Sequence, residues 1–172
     1  MKLFHISEER DIKVFKPRPS PSLFDNVTGD VVFGISEELL HNYLLPRDCP
    51  RVCFCKNEDS TGEDGEIFFV GTNAKYVMAV EAAWWPTIKD TVLYRYEFNV
   101  ENFSLIDACA GYYVSYETEE PITVTVITDV VAAITQRNVE LRFVPNLWKL
   151  HDAVKRSSLS FSMIRMRNAI VK

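Results

Sequence analysis

Four cysteines, three histidines and two short arginine-bearing segments hold most of the chain's capacity for chemistry. The cysteines fall as Cys49-x3-Cys53-x-Cys55, with Cys109 far away. A structural zinc site asks for two close pairs of soft ligands. Here the nearest additional partner by sequence is Cys109 or His41, and Cys53 and Cys55 share one face of a strand. Buried thiols acting as small apolar side chains fit that spacing better, so no metal is expected.

The arginines are the more telling groups. Arg47-Asp48-Cys49-Pro50-Arg51 sets two guanidinium forks around a proline-stiffened corner. Such forks suit carboxylates and phosphates. The corner has two readings: Asp48 pairs locally with one arginine, or Arg47 and Arg51 meet a ligand. Arg165 and Arg167 share a face only in an extended segment, because a helix would turn them about 200° apart; surface ion pairing is their plainer role. His5 and Ser7 sit together near the start, and Arg18 follows in a proline-rich stretch. A hydrolase built around Asp48, His41 or His151 is a further reading that no spacing selects. No glycine-rich phosphate loop and no nucleophile elbow is present.

Elements must position these groups, and the hydrophobic pattern suggests which. Lys2 to Ile6 reads as a short strand carrying His5 on one face. Lys16 to Ser22, with prolines at alternate positions, reads as an extended connector. Asp30 to Ile35 reads as a buried strand, followed by a helix from Glu37 to Leu45 behind Ser36 as its cap. Arg51 to Lys56 is a strand and Asn57 to Glu66 a polar loop. Ile67 to Val70 is either a strand or a turn beside a helix. Ala74 to Trp85 carries a mostly helical period stopped by Pro86. Thr91 to Phe98, Gly111 to Glu117, Ile122 to Ile127 and Val139 to Val144 read as strands. Asp129 to Gln136 and Leu147 to Ser157 read as helices, and Phe161 to Ala169 leaves the period undecided. The mixture lacks a βαβ rhythm. It implies an α+β fold, a curved or split, antiparallel-rich sheet with flanking helices, in one domain spanning residues 1–172.

Composition narrows the classes. The chain has 172 residues, 47% of them hydrophobic and 25% charged, the balance of a chain that buries a core. A net charge of −5 without a basic run argues against unspecific nucleic-acid binding. No apolar run reaches the roughly 20 residues that span a bilayer, and the N-terminus lacks the apolar stretch of a signal peptide. The cytoplasm, with reduced thiols, is the expected compartment.

The strings Phe4-His5-x-Ser7-Glu8-Glu9, Pro17-Arg18-Pro19, Pro46-Arg47-Asp48-Cys49-Pro50-Arg51, Gly111-Tyr112-Tyr113-Val114-Ser115 and Ser162 to Ala169 are similar to an uncharacterised bacterial family over essentially the whole chain. That similarity brings no function with it. A more distant resemblance is to ADP-ribosyltransferase-like domains, which open with an [FY]-H-x-[ST] strand whose histidine holds the nicotinamide ribose of NAD. Val32-Phe33-Gly34 followed by Tyr43 resembles their next strand and the tyrosine that stacks on nicotinamide. Gly111 to Tyr116 resembles their glutamate-bearing strand, but Tyr112 stands in the glutamate's place. The resemblance implies a nucleotide-sized cleft and NAD as a substrate. His5, Tyr43 and Tyr112 would be its reactive residues, with Ser7, Arg18, Arg47, Arg51 and Arg165 as binding residues. A neutral phenol accepts a ribose hydroxyl but cannot steady an oxocarbenium-like cation, since its pKa lies near 10. Glu117 or Glu119 is the replacement carboxylate available if transfer occurs. The alternative is a non-catalytic binding or interaction module on a degenerate version of that fold.

Overall fold

A computed structural model describes residues 1–20, 24 and 26–172. The first half of the chain forms β1 (Leu3–Ser7), β2 (Arg18–Pro19), β3 (Asp30–Ser36), β4 (Arg51–Cys55), α1 (Gly62–Phe68), β5 (Tyr76–Glu81) and α2 (Trp85–Asp90). The second half adds β6 (Leu93–Phe98), β7 (Ser104–Asp107), β8 (Tyr112–Ser115), β9 (Thr123–Ile127), α3 (Val130–Thr135), β10 (Val139–Val144), α4 (Trp148–Lys155) and β11 (Ser160–Ile164). The class is α+β with antiparallel-rich sheets. Of the expected proline-rich connector, Pro21 and Ser22 lie outside the described residues.

The chain divides into two compact units that alternate along the sequence. The first comprises Met1–Leu40 and Val92–Thr128 and is built on a sheet ordered β7-β8-β3-β1-β6-β9, with β2 pairing to β3. All its pairings are antiparallel. Register fixes the faces, because directly opposed residues point the same way and neighbours alternate. Leu3 lies opposite Ser36 and Phe98, and His5 opposite Tyr96, so one face gathers Leu3, His5, Val32, Tyr96 and Phe98. Phe15 and Phe103 cover that face, and the cluster of Leu3, Phe15, Val32, Tyr96, Phe98 and Phe103 is the unit's core. Each such ring or branched chain withdrawn from water contributes about 1.5–3 kcal/mol.

The second unit, His41–Thr91 with Asp129–Lys172, holds a four-stranded sheet ordered β10-β5-β4-β11. Its one parallel pair is β10 with β5. Val52, Phe54, Val77 and Ala79 from one face pack with Phe68, Phe69, Leu147, Val154 and Leu159. The opposite face carries Arg51, Cys53 and Cys55 beside Met78 and Val80, by the β4–β5 register.

Several expected elements need correction. The helix expected over Glu37 to Leu45 is a single 3-10 turn, Leu40–Tyr43, stopped at once by Pro46. The helix expected from Ala74 to Trp85 is the strand β5, all six residues of which are buried. Both faces being covered, its apolar residues form a run without alternation, which periodicity cannot tell from a buried helix. Pro86 does not end a helix; it sits in the first turn of α2, where its missing N–H costs nothing. The loop expected over Asn57 to Glu66 contains the start of α1, capped by Thr61 Oγ1 accepting the Asp64 N–H at 3.2 Å. Ile67 and Phe68 complete that helix, and the Phe161 segment is the edge strand β11.

Candidate functional site

The residues singled out in the sequence fall into two groups. His5, Ser7, Arg18 and Tyr112 belong to the first unit, and Tyr43, Arg47, Arg51 and Arg165 to the second.

Within the first unit, His5 Nδ1 lies 3.2 Å from the Phe33 carbonyl, and its ring tilts against Phe15 at 4.9 Å between centroids. Nδ1 therefore carries the proton and donates to Phe33 O. Ser7 Oγ accepts the Glu9 N–H at 3.0 Å, closing the turn that follows β1. Arg18 is in β2 opposite Val31, and it is exposed. Tyr112 lies opposite Ile35 of β3, which in turn lies opposite Phe4 of β1. Tyr112 thus shares the face of Phe4, and His5 occupies the other. The register therefore sets the two side chains on opposite faces of this sheet. Tyr112 instead meets Phe33 edge-on at 6.1 Å and Phe24 at 6.0 Å.

The same unit holds a buried carboxylate near β8. Ser115, fully buried, donates from Oγ to Glu119 Oε1 at 2.5 Å and accepts the Glu117 N–H at 3.0 Å. The Glu119 backbone exchanges two hydrogen bonds with Phe15, at 2.8 and 2.9 Å. Phe15, which carries the His5 contact, is therefore also the neighbour of Glu119.

In the second unit the arginine residues do come together. Arg51 is 2% exposed. Its Nε donates to Asn42 O at 2.8 Å, and Nη1 donates to Pro46 O at 3.2 Å and Cys49 O at 2.9 Å. Its guanidinium carbon lies 5.7 Å from the centre of the Tyr43 ring. No acid pairs with this charge in those contacts; three main-chain carbonyls and a ring face hold it, so Arg51 organises the corner from inside. Burial pulls its pKa below the usual value, and the charge of Arg165 adds to that pull.

Arg165 approaches the same corner from the end of β11. It adopts a left-handed conformation (φ 54°) that costs a side-chain-bearing residue about 1–2 kcal/mol. The turn it opens donates twice to the corner: Arg165 Nε to Arg47 O at 3.3 Å, and Asn168 Nδ2 to Asp48 O at 2.8 Å. Arg47 and Arg167 are exposed, and Arg165 is half-buried. The Arg51 and Arg165 guanidiniums thus meet at one main-chain corner and engage its carbonyls, and the exposed Arg47 belongs to the same corner. Such an arrangement suits an anion rather than a metal.

The cysteines are poor ligands where they stand. Burial pushes the Cys49 and Cys53 thiols up to about 12, against the lowering effect of Arg51. Among the described residues no cluster of three His, Cys, Asp or Glu side chains is placed to hold a metal. None of their helices is long and apolar enough to cross a membrane. An open hollow of about 500 Å³ lies elsewhere in the second unit, between Lys56, Ser60, Thr61, Gly65, Phe69 and Val70, and includes none of the residues singled out above.

The profile of a family of unknown function, DUF6886, matches residues 4–169. The chain belongs to that family. Its span takes in the His5 strand, the arginine corner and the Arg165 turn alike. No curated protein and no solved structure matches the chain.

The sequence pairs Arg47 with Arg51 at one corner but gives no sign that Arg165 joins them. Asn168 and Ser115 carry no role that their strings reveal, and Glu119 enters the sequence reading only as a substitute carboxylate. The Arg165-Met166-Arg167 and Pro46 to Arg51 strings are the signal the sequence carries; the hydrogen bonds between them are not.

Proposed function

We propose that this protein binds a nucleotide-like small molecule, NAD or a related phosphate-bearing compound, at the arginine corner of its second unit. The observation that carries the reading is the Arg165 Nε to Arg47 O contact at 3.3 Å, which brings a second guanidinium to a corner already organised by buried Arg51. Arg47 and Arg165 are the phosphate-contacting groups, and Tyr43, against which Arg51 packs, offers an aromatic surface at the same corner. Arg18, on the other unit, is a binding residue in the ADP-ribosyltransferase-like reading only.

The reading is of a binder rather than a transferase. Tyr112 replaces the carboxylate that transfer would need, and it stands on the other face of the sheet from His5. Of the two carboxylates that could replace it, Glu119 is 5% exposed and engaged by the Ser115 hydroxyl, whereas Glu117 is exposed. This geometry favours the non-catalytic module on a degenerate fold over an active enzyme.

Calorimetric titration with NAD, ADP-ribose and inorganic pyrophosphate tests the proposal. Binding should weaken about tenfold or more in Arg165→Gln, the loss of one charge-assisted hydrogen bond. His5→Ala should leave affinity unchanged. No heat with any of the three compounds, or equal affinity in Arg165→Gln, would refute it.

A further inference from the structure

Glu81, at the end of β5, is a carboxylate only 1% exposed, on the sheet face shared with Ala79 and Val77. A buried carboxylate without compensating contacts costs several kcal/mol. The contacts that compensate Glu81 are main-chain donors from two distant segments. Leu147 N–H donates to Oε1 at 3.4 Å, and Ile170 N–H lies 3.1 Å from both oxygens. Further bonds fix the same tail: Trp148 Nε1 donates to Ile170 O at 2.7 Å, and Lys172 Nζ to Asp152 Oδ2 at 2.6 Å.

The segment so fastened begins directly after the Arg165–Asn168 turn. That turn is anchored at one end by β11 pairing to β4, Ile164 lying opposite Arg51. At the other end it is anchored by Ile170 on Glu81. Between these two anchors lie a left-handed Arg165, with its torsional cost, and the two donors to the 47–48 corner. An arginine in a costly backbone conformation persists only where its surroundings over-determine it. We infer that Glu81 is a positioning residue for the anion site: it clamps Ile170 and thereby holds the guanidinium of Arg165 on the Arg47 carbonyl. The ligand consequence rests on the function proposed above; the clamp itself does not.

Two variants test it. Glu81→Gln removes one acceptor and sets an amide N–H against the Ile170 N–H. Ile170→Pro deletes the tail's donor while leaving the Glu81–Leu147 bond, so it covers the case in which Glu81→Gln fails to fold. The ligand-free readout is nitrogen-15 NMR of the Arg165 Nε–H, whose exchange with solvent should accelerate about tenfold or more in both variants once the bond to Arg47 O is lost. Unchanged exchange in a folded variant would overturn the clamp. The ligand readout is a double-mutant cycle with NAD and pyrophosphate. Glu81→Gln should cost as much affinity as Arg165→Gln, and the combined variant no more than either. Additive losses would overturn the positioning role, since Glu81 would then act independently of Arg165. Failure of the wild-type protein to bind either compound would sink the proposed function, and the exchange measurement would still decide the clamp.

Discussion

His5 and Tyr112 project from opposite faces of one antiparallel sheet. The chain of register is short: Phe4 opposite Ile35, and Ile35 opposite Tyr112, with His5 next to Phe4 in β1. Their side chains therefore share no face of that sheet. The arginine corner gains weight from this, because there the residues singled out in the sequence lie within one another's reach.

Replacing Arg51 by alanine should be among the most damaging single changes in the second unit. It would leave the Asn42, Pro46 and Cys49 carbonyls without their buried donor and open a void against Tyr43. The expected loss is about 3–5 kcal/mol, measured by urea unfolding. Arg51→Lys should recover only part of it, since a single ammonium cannot reproduce the fork.

Gly111→Ala should destabilise the first unit by ~1–3 kcal/mol. Gly111 has φ +67°, and an added Cβ would stand 2.5 Å from Ser36 Oγ and 3.1 Å from Leu39 Cβ. The Ser36 N–H also donates to Gly111 O at 2.9 Å, so the loop cannot withdraw without losing that bond. Gly29, with φ +85° and open space around it, should show the torsional cost alone. A thermal melt of both variants separates clash from torsion.

The thiols should react in a fixed order. Cys109 is exposed and Cys55 half-buried, whereas burial raises Cys49 and Cys53 from 9.0 to about 12. At pH 8 a disulfide reagent should modify Cys109 first and reach Cys49 and Cys53 only on unfolding. Folded protein holds these protons where the unfolded chain releases them, so the contribution is intact below pH 9 and is lost as pH rises toward about 12. Alkaline melts of a Cys49→Ala, Cys53→Ala protein should show a shallower decline over that window.

Asp152 should titrate near 2. Hydrogen bonds from Lys172 and then His151 hold its carboxyl down from the ordinary 3.8. A depressed acid stabilises the fold above its unfolded pKa, and that contribution fades as pH falls through 3.8 toward about 2. In Lys172→Ala the carboxyl resonance should move upward in a carbon-13 titration, and an unmoved midpoint would contradict the Lys172 contact.

What could be read from the chain beforehand follows from where each signal resides. β1 and β9 were legible because alternation is local, and α3 because Asp129 is a plain cap that accepts the Ala132 N–H at 2.8 Å. β5 was misread because its environment, a neighbour on each side and cover on both faces, leaves a continuous apolar run. The 3-10 turn before Pro46 imitates a helix start, with Ser36 followed by two glutamates, yet has no room to propagate. β7, Ser104–Asp107, is a short edge strand without an apolar pattern. The side of the sheet on which Tyr112 falls depends on pairing rather than on any residue. The meeting of Arg165 with Arg47 joins positions 118 apart in the chain.

The alternation of the two units along the chain has a consequence for synthesis. On the ribosome, β4 and β5 emerge early and can close on one another, but their outer neighbours, β11 and β10, follow only after Val92–Thr128 has been made. Until then a two-stranded ribbon, apolar but for Arg51 and Glu81 at its ends, has both flanks unpaired, the condition in which nascent chains cross-pair. Holdase chaperones should therefore engage this protein at intermediate lengths and release it once β10 and β11 are out.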